Sequence, residues 1–183
     1  MPPGQPVFQL RLTLEDVRPV VWRRLLVPGS VRLDKLHRMF QAAMGWQDYH
    51  LHSFEIGDAR FGMQFDDFPD DELDEKSVTV LRAIGEVRRF SYEYDFGDSW
   101  GHEVVVESFS RSLLGLKFGV CVDGQNACPP EDCGGPPGYA DLLDVLSDPA
   151  HDEHEHMRSW VGGPFDPGEF DLGLANARLQ AVR

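Results

Sequence analysis

The chain has 183 residues, 42% of them apolar and 26% charged, and a net charge of −14 at neutral pH. That length and apolar content suit one folded domain with its own core and exclude an intrinsically disordered chain. The acid excess argues against direct nucleic-acid binding, because phosphate backbones select clusters of Lys and Arg.

Residues 7–14 alternate, with Phe8, Leu10, Leu12 and Leu14 on one face and Gln9, Arg11 and Thr13 on the other. A period of two predicts a half-buried strand. Pro19 opens a second extended run, 20–27, which Pro28 and Gly29 stop, and the two runs are expected to pair as a hairpin. Over 32–44 the period becomes helical: Leu33, Leu36, Phe40, Ala43 and Met44 form the stripe, and Gly45 supplies the stop. Residues 49–56 and 61–65 read as strands. Seven of the ten residues over 66–75 are acidic. Like charges at that density repel, so an exposed loop is expected there.

Residues 88–96 alternate again, with Phe90, Tyr92, Tyr94 and Phe96 on one face. Gly97, Asp98 and Ser99 read as a turn, and 100–109 as the return strand. Over 121–138 the composition changes to Cys, Pro, Gly and acid. Its two Pro-Pro pairs, at 129–130 and 136–137, predict neither a helix nor a central strand. The remainder reads as helices over 139–146, 149–161 and 172–182, with Asp166 and Pro167 as the start signal of the last. Strands early and helices late describe an α+β fold. Its hairpins would form an antiparallel or mixed sheet, with one early helix and a helical C-terminal third packed on that sheet. One domain over 1–183 is expected, with a flexible start at 1–6.

That start has neither the basic nor the apolar segment of a signal peptide, and no run has the length of a membrane span. Three cysteines are an odd number, and their spacing is not that of a secreted framework. The expectation is a cytoplasmic protein with reduced thiols. Residues 1–45 hold seven basic side chains against three acidic ones, so a local basic face on the first third is a further reading.

Three constellations bear chemistry. His50, His52, Asp95, Asp98 and His102 lie on or beside two expected strands and the turn between 88–96 and 100–109. His50, His52 and His102 fall at inward positions. Together with the Asp they are candidates for a divalent-metal or acid–base site, with zinc as the example ion. The alternative is structural: Asp98 bonding turn amides, and each buried His satisfying a core carboxylate or carbonyl. Cys121, Cys128 and Cys133 are a second candidate set, for structural zinc. Their spacing is not that of paired zinc knuckles, and packing as small apolar groups is the alternative. Glu131, next to Asp132 in that segment, is a candidate acid or base. The third is His151-Asp152-Glu153-His154-Glu155-His156, which lacks the spacing of H-E-x-x-H and reads as a solvated helix face. Asp95-Phe96-Gly97 and Gly97-Asp98-Ser99 match short kinase and esterase strings without the structural context either needs.

Several strings together resemble the plasmid pRiA4b ORF-3-like family, which includes insertion-element reading frames labelled TnpR-like. They are Pro19-Val20-Val21-Trp22-Arg23-Arg24, Leu36-His37, Met44-Gly45-Trp46 with His50-Leu51-His52-Ser53-Phe54, the run from Tyr94 to His102, and the run from Cys128 to Tyr139. The resemblance spans 7–180. It implies an α+β fold and an association with plasmids or mobile elements, and it implies no chemistry. The residues argue against a resolvase: 112–183 holds only Lys117, Arg158, Arg178 and Arg183 as basic side chains.

The leading expectation is an accessory module that acts through protein contact. Its partner would be basic, and Asp66, Asp67, Asp70, Asp71, Glu72, Asp74 and Glu75 would form the contact surface. The alternative is a metal-dependent, hydrolytic enzyme using the His and Asp set. A weaker alternative is a DNA-associated factor of a transposable element.

Overall fold

The computed structural model describes residues 4–64, 72–112, 115–116 and 118–182. Among these residues, eight strands form one mixed sheet in the order β5-β4-β3-β6-β7-β1-β2-β8. The first strands are β1 (Gln5–Leu14) and β2 (Trp22–Pro28), and they pair as the expected antiparallel hairpin. β1 begins inside the stretch expected to be a flexible start; residues 1–3 lie outside the described residues. β3 (His52–Ile56) and β4 (Ala59–Gly62) form a second hairpin, and β5 (Leu73–Asp74) joins β4 in parallel. β6 (Arg89–Tyr94) and β7 (Trp100–Ser112) form the third, which links β3 to β1. β8 (Val120–Gln125) was not expected. It is an edge strand on β2, ending before the proline-rich segment, so Pro129 and Pro130 take no place in the ladder.

One face of the sheet is the core. Leu10, Leu12, Leu14, Leu25, Val27, Trp100, Val104, Tyr92, Tyr94 and Phe54 are all buried there. The helix α1 (Leu33–Met44) lays its apolar stripe on them and ends at Gly45, whose φ of 105° is the left-handed stop that the sequence predicts. Across the other face run ion pairs: Arg24 with Glu107 at 2.6 Å and Asp123 at 2.9 Å, and Arg89 with Glu103. Arg23 points inward and is buried. Its guanidinium donates to the carbonyls of Ala43, Trp22, Gln125 and Asn126. Arg32 and Arg38 share Asp34. Of the seven basic side chains of the first third, Arg23, Arg24, Arg32 and Arg38 thus have partners within the fold.

A short helix, α2 (Val80–Ile84), lies where no element was expected. The C-terminal part holds α3 (Gly135–Ser147), α4 (His154–Trp160) and α5 (Leu172–Ala181). α3 starts at the Pro136-Pro137 pair that was expected to exclude a helix. The prolines occupy its first turn, where no N–H is needed. α5 is capped by the Asp171 side chain, not by Asp166. It packs on α1 and β8, where Asn176 accepts from the Cys121 N–H and donates to the Cys121 carbonyl. No helix among the described residues is long and apolar enough to cross a membrane.

Candidate functional site

The connection between α1 and β3 carries His50, and it is fastened on both sides. Trp46 Nε1 donates to the Pro129 carbonyl at 3.0 Å, and the Gln47 N–H donates to Glu131 Oε1 at 2.7 Å. The Asp48 N–H donates to Gln41 Oε1 at 3.2 Å, and the Tyr49 N–H to the Tyr94 hydroxyl oxygen at 3.0 Å. The Tyr94 hydroxyl itself donates to the Glu131 carboxylate, 3.3 Å from each oxygen. Burial, with the Glu131 charge beside it, holds the Tyr94 phenol well above its ordinary value. Glu131 therefore clamps the two loops together.

Held this way, His50 faces carboxylates from two other segments. Its Nε2 lies 3.0 Å from Asp132 Oδ1, 3.6 Å from Asp95 Oδ2 and 4.0 Å from Glu131 Oε2. Nε2 is out of water, yet it makes no hydrogen bond; Asp132 is close but out of line. One ligand atom each from His50, Asp95 and Asp132 fall within 4.8 Å of one another. It is the one such group of three or more His, Cys, Asp or Glu among the described residues. The side chain of Asp95 is 10% exposed and that of Asp132 is 65% exposed, so the group opens outward on the Asp132 side.

Asp95 and Asp132 both have left-handed backbone, with φ of 56° and 57°. At Asp95 this closes the β6–β7 turn. Asp95 Oδ1 accepts from the N–H of Gly97 at 3.0 Å, which leaves Oδ2 toward His50. Asp98 is not in the group. Its Oδ2 accepts from the Gly134 N–H at 3.1 Å, the structural role open to it from sequence. Gly135 meets the same turn: a Cβ there would lie 2.3 Å from the Asp98 carbonyl oxygen. A Cβ on Gly138 would lie 2.0 Å from the Cys133 carbonyl oxygen. The Gly-Gly-x-x-Gly run thus lets the loop bearing Glu131 and Asp132 dock against the β6–β7 turn.

The other two inward histidines went elsewhere. His52 and His37 stack face to face, with ring centroids 3.4 Å apart and planes 2° from parallel. His52 Nε2 meets Glu75 Oε2 at 2.7 Å, both side chains buried. His37 sits in a closed circuit. Gln41 Nε2 donates to the Tyr92 oxygen at 3.0 Å, and the Tyr92 hydroxyl donates to His37 Nδ1 at 2.7 Å. His37 Nε2–H donates to Asp48 Oδ1 at 2.6 Å, and the Asp48 N–H returns to Gln41. The tautomer follows from Asp48, whose carboxylate only accepts. Burial holds the His37 pKa below the usual imidazole value, and the hydrogen bond from His37 holds the Asp48 carboxyl below its own. His102 is fully buried, with Nδ1 3.2 Å from the Tyr92 carbonyl, and burial holds its pKa down to about 4. A cleft of about 490 Å³ runs beside these groups, lined by His37, His50, His52, Asp48, Glu75 and Lys76 among others.

The cysteines do not converge with other donors into a metal-binding group among the described residues. Cys121 is buried, with its thiol 3.3 Å from the Asp123 carbonyl. Burial pushes all three thiols up, Cys133 to about 12, which opposes the thiolate that zinc needs. In the acidic segment, Asp66, Asp67, Asp70 and Asp71 lie outside the described residues. Of the rest, Glu72 pairs with Arg60 at 2.7 Å, Asp74 caps the turn at Lys76, and Glu75 is buried against His52. Glu75 is therefore no part of an exposed surface. Sequence reasoning missed His37, although its place four residues after Leu33 on the apolar stripe was a usable signal. Asp48 and the buried role of Glu75 left no local signal, because their partners are distant in sequence.

A family model described as plasmid pRiA4b ORF-3-like protein matches residues 6–174. A protein of Sinorhizobium fredii (strain NBRC 101917 / NGR234), called uncharacterized protein y4hQ, is 37% identical over 172 residues, 93% of this chain and 86% of the relative. The crystal structure of MM3350 from Methanosarcina mazei Go1, described as a protein of unknown function, superposes with a TM-score of 0.86. It is 34% identical, over 93% of this chain and 97% of that one.

Proposed function

This chain belongs to the plasmid pRiA4b ORF-3-like family, and for this member we propose divalent-metal binding, with the ion seated between His50, Asp95 and Asp132. The observation that carries the proposal is His50 Nε2: removed from water, without a hydrogen bond, and facing three carboxylates at 3.0–4.0 Å. An imidazole nitrogen left this way is costly in a structural role and suited to a ligand. Two protein segments hold the set rigid through Glu131, Tyr94 and the Asp95 turn, as a metal site requires of its surroundings. One imidazole and two carboxylates suit zinc or manganese. Three protein ligands leave a position open on the side of exposed Asp132, the arrangement in which a metal activates water or polarises a bound oxygen. A hydrolytic role extends this reading.

The test is elemental analysis of tag-free protein after exposure to zinc or manganese and removal of excess. Near-stoichiometric metal is expected in the wild type, and it should be lost in His50→Ala and Asp132→Asn. Because Asp132 is exposed, that variant keeps its fold. Metal-free wild type, or full retention in both variants, overturns the proposal.

A second reading, contact with a partner protein, rests on Tyr49, Leu51 and Phe96, exposed large apolar side chains on the two segments that supply His50 and Asp95. Their joint replacement by Ser, with metal content unchanged, should abolish partner capture; unaltered capture removes this reading.

A further inference from the structure

The helix α4 is thinly covered. None of its residues is buried, and Trp160 at its end is 45% exposed. Between α4 and α3 lies a cavity of about 400 Å³, the size of a small-molecule pocket. Leu142 and Val145 of α3, with Met157 and Trp160 of α4, give it an apolar wall. Asp132, Asp141 and Glu153 line it as well, and no Lys or Arg among the described residues does. The carboxylates of Asp141 and Glu153 take part in no hydrogen bond or ion pair among the described residues. His156 is the one wall residue able to carry positive charge, and it pairs with none of the three. On the sheet, by contrast, Glu107 and Asp123 are both answered by Arg24. The rings differ in the same way. Trp22 and Phe170, both half-buried, are covered by guanidinium groups of the chain itself: Arg11 lies 4.6 Å from the Trp22 ring centre, and Arg23 lies 4.1 Å from that of Phe170. Trp160 has no such cover among the described residues.

We propose that this cavity binds a small organic cation, an alkylammonium whose charge sits over the Trp160 indole and against Asp141 and Glu153. The face of an indole attracts a cation more strongly than any other aromatic side chain, and unpaired carboxylates beside it add to that attraction. The apolar wall takes the alkyl groups, and their burial separates an alkylammonium from an inorganic cation. The inference stands apart from the metal reading: Asp132 is the one residue common to the two, and it is not among the groups assigned here.

The experiment uses the full chain free of metal, titrated with choline. The uncharged control is dimethylbutanol, the alcohol in which carbon replaces the choline nitrogen, and the inorganic control is potassium chloride. Proton NMR follows the indole N–H signal of Trp160, assigned by its loss in Trp160→Leu. Choline is expected to move that signal to saturation, and the alcohol should need roughly tenfold higher concentration. In Trp160→Leu, calorimetry should find choline bound no tighter than the alcohol. The double variant Asp141→Asn, Glu153→Gln should weaken choline about tenfold and leave the alcohol unchanged. Both residues are exposed, so that variant keeps its fold. A choline shift that does not saturate, or equal affinity for choline and the alcohol, overturns the inference. So does a preference for choline that survives in Trp160→Leu. A response reproduced by potassium chloride reduces the site to screening of acid charge and overturns it too. All these outcomes leave the metal reading at His50 untouched.

Discussion

His50 and the His37–His52 pair are built from the same parts, an imidazole and nearby carboxylates, and differ in whether the bonds close. His37 and His52 meet Asp48 and Glu75 at 2.6 and 2.7 Å, and the circuit through Tyr92 and Gln41 leaves only His52 Nδ1 bare. His50 has three carboxylates within 4.0 Å and bonds to none. A nearly closed set fixes the fold because all but one of its buried ring and hydroxyl groups are satisfied. An open set, held in place by neighbours, is left to bind something. The closed set also serves the open one, since Asp48 belongs to the connection that carries His50.

The largest effect should come from breaking the closed set. Glu75→Ala deletes the buried partner of His52 and should lower the unfolding free energy by about 4 kcal/mol, measured by denaturant titration. A loss within about 0.5 kcal/mol, the range of surface substitutions, would show that the pair contributes nothing.

The next largest should appear with acid. His102 has a folded-state pKa of about 4 against an ordinary 6.5. The folded value lies below the unfolded one, so its contribution is complete above pH 6.5 and is lost as pH falls toward 4. That contribution is about 3 kcal/mol. His37, also held low by burial, adds in the same direction. Stability curves across this window should flatten in His102→Gln. An unchanged slope would place the acid sensitivity elsewhere.

The open set should answer differently. His50→Ala should weaken metal binding about 100-fold, about 2.7 kcal/mol. The unfolding free energy of the metal-free protein should stay the same. Equal losses of stability and affinity would erase the distinction between the two sets. The smallest effect should come from the clamp. Tyr94→Phe removes the hydroxyl shared by Tyr49 and Glu131, and should cost about 1 kcal/mol of stability. Metal affinity should fall about tenfold, with the ligands still present. Calorimetric titration with zinc separates this loosening from outright loss.

Much of the sheet was legible because its cause is local. Alternation in 7–14, 88–96 and 100–109 marks β1, β6 and β7, and Gly45 marks the end of α1. α2 and β8 were not legible. α2 is too short to show a period, and β8 exists because an edge of β2 was free to receive it. Of the site, His50 and Asp95 were legible as chemistry-bearing residues, while Asp132 was legible only as the acidic neighbour of Glu131. The glycines that dock that loop carry no sign of what they approach.

By itself, then, the sequence determined a chain with its strands early and its helices late, an apolar face on each, and imidazoles and carboxylates set at turns. These follow from side-chain period and backbone preference, which act over a few residues. Only the tertiary structure decided which imidazole met which carboxylate. His50 and Asp132 lie far apart along the chain, and so do His52 and Glu75. Their meeting depends on strand register and on loops pressed together at Gly135, where the close approach to the Asp98 backbone sets the distances.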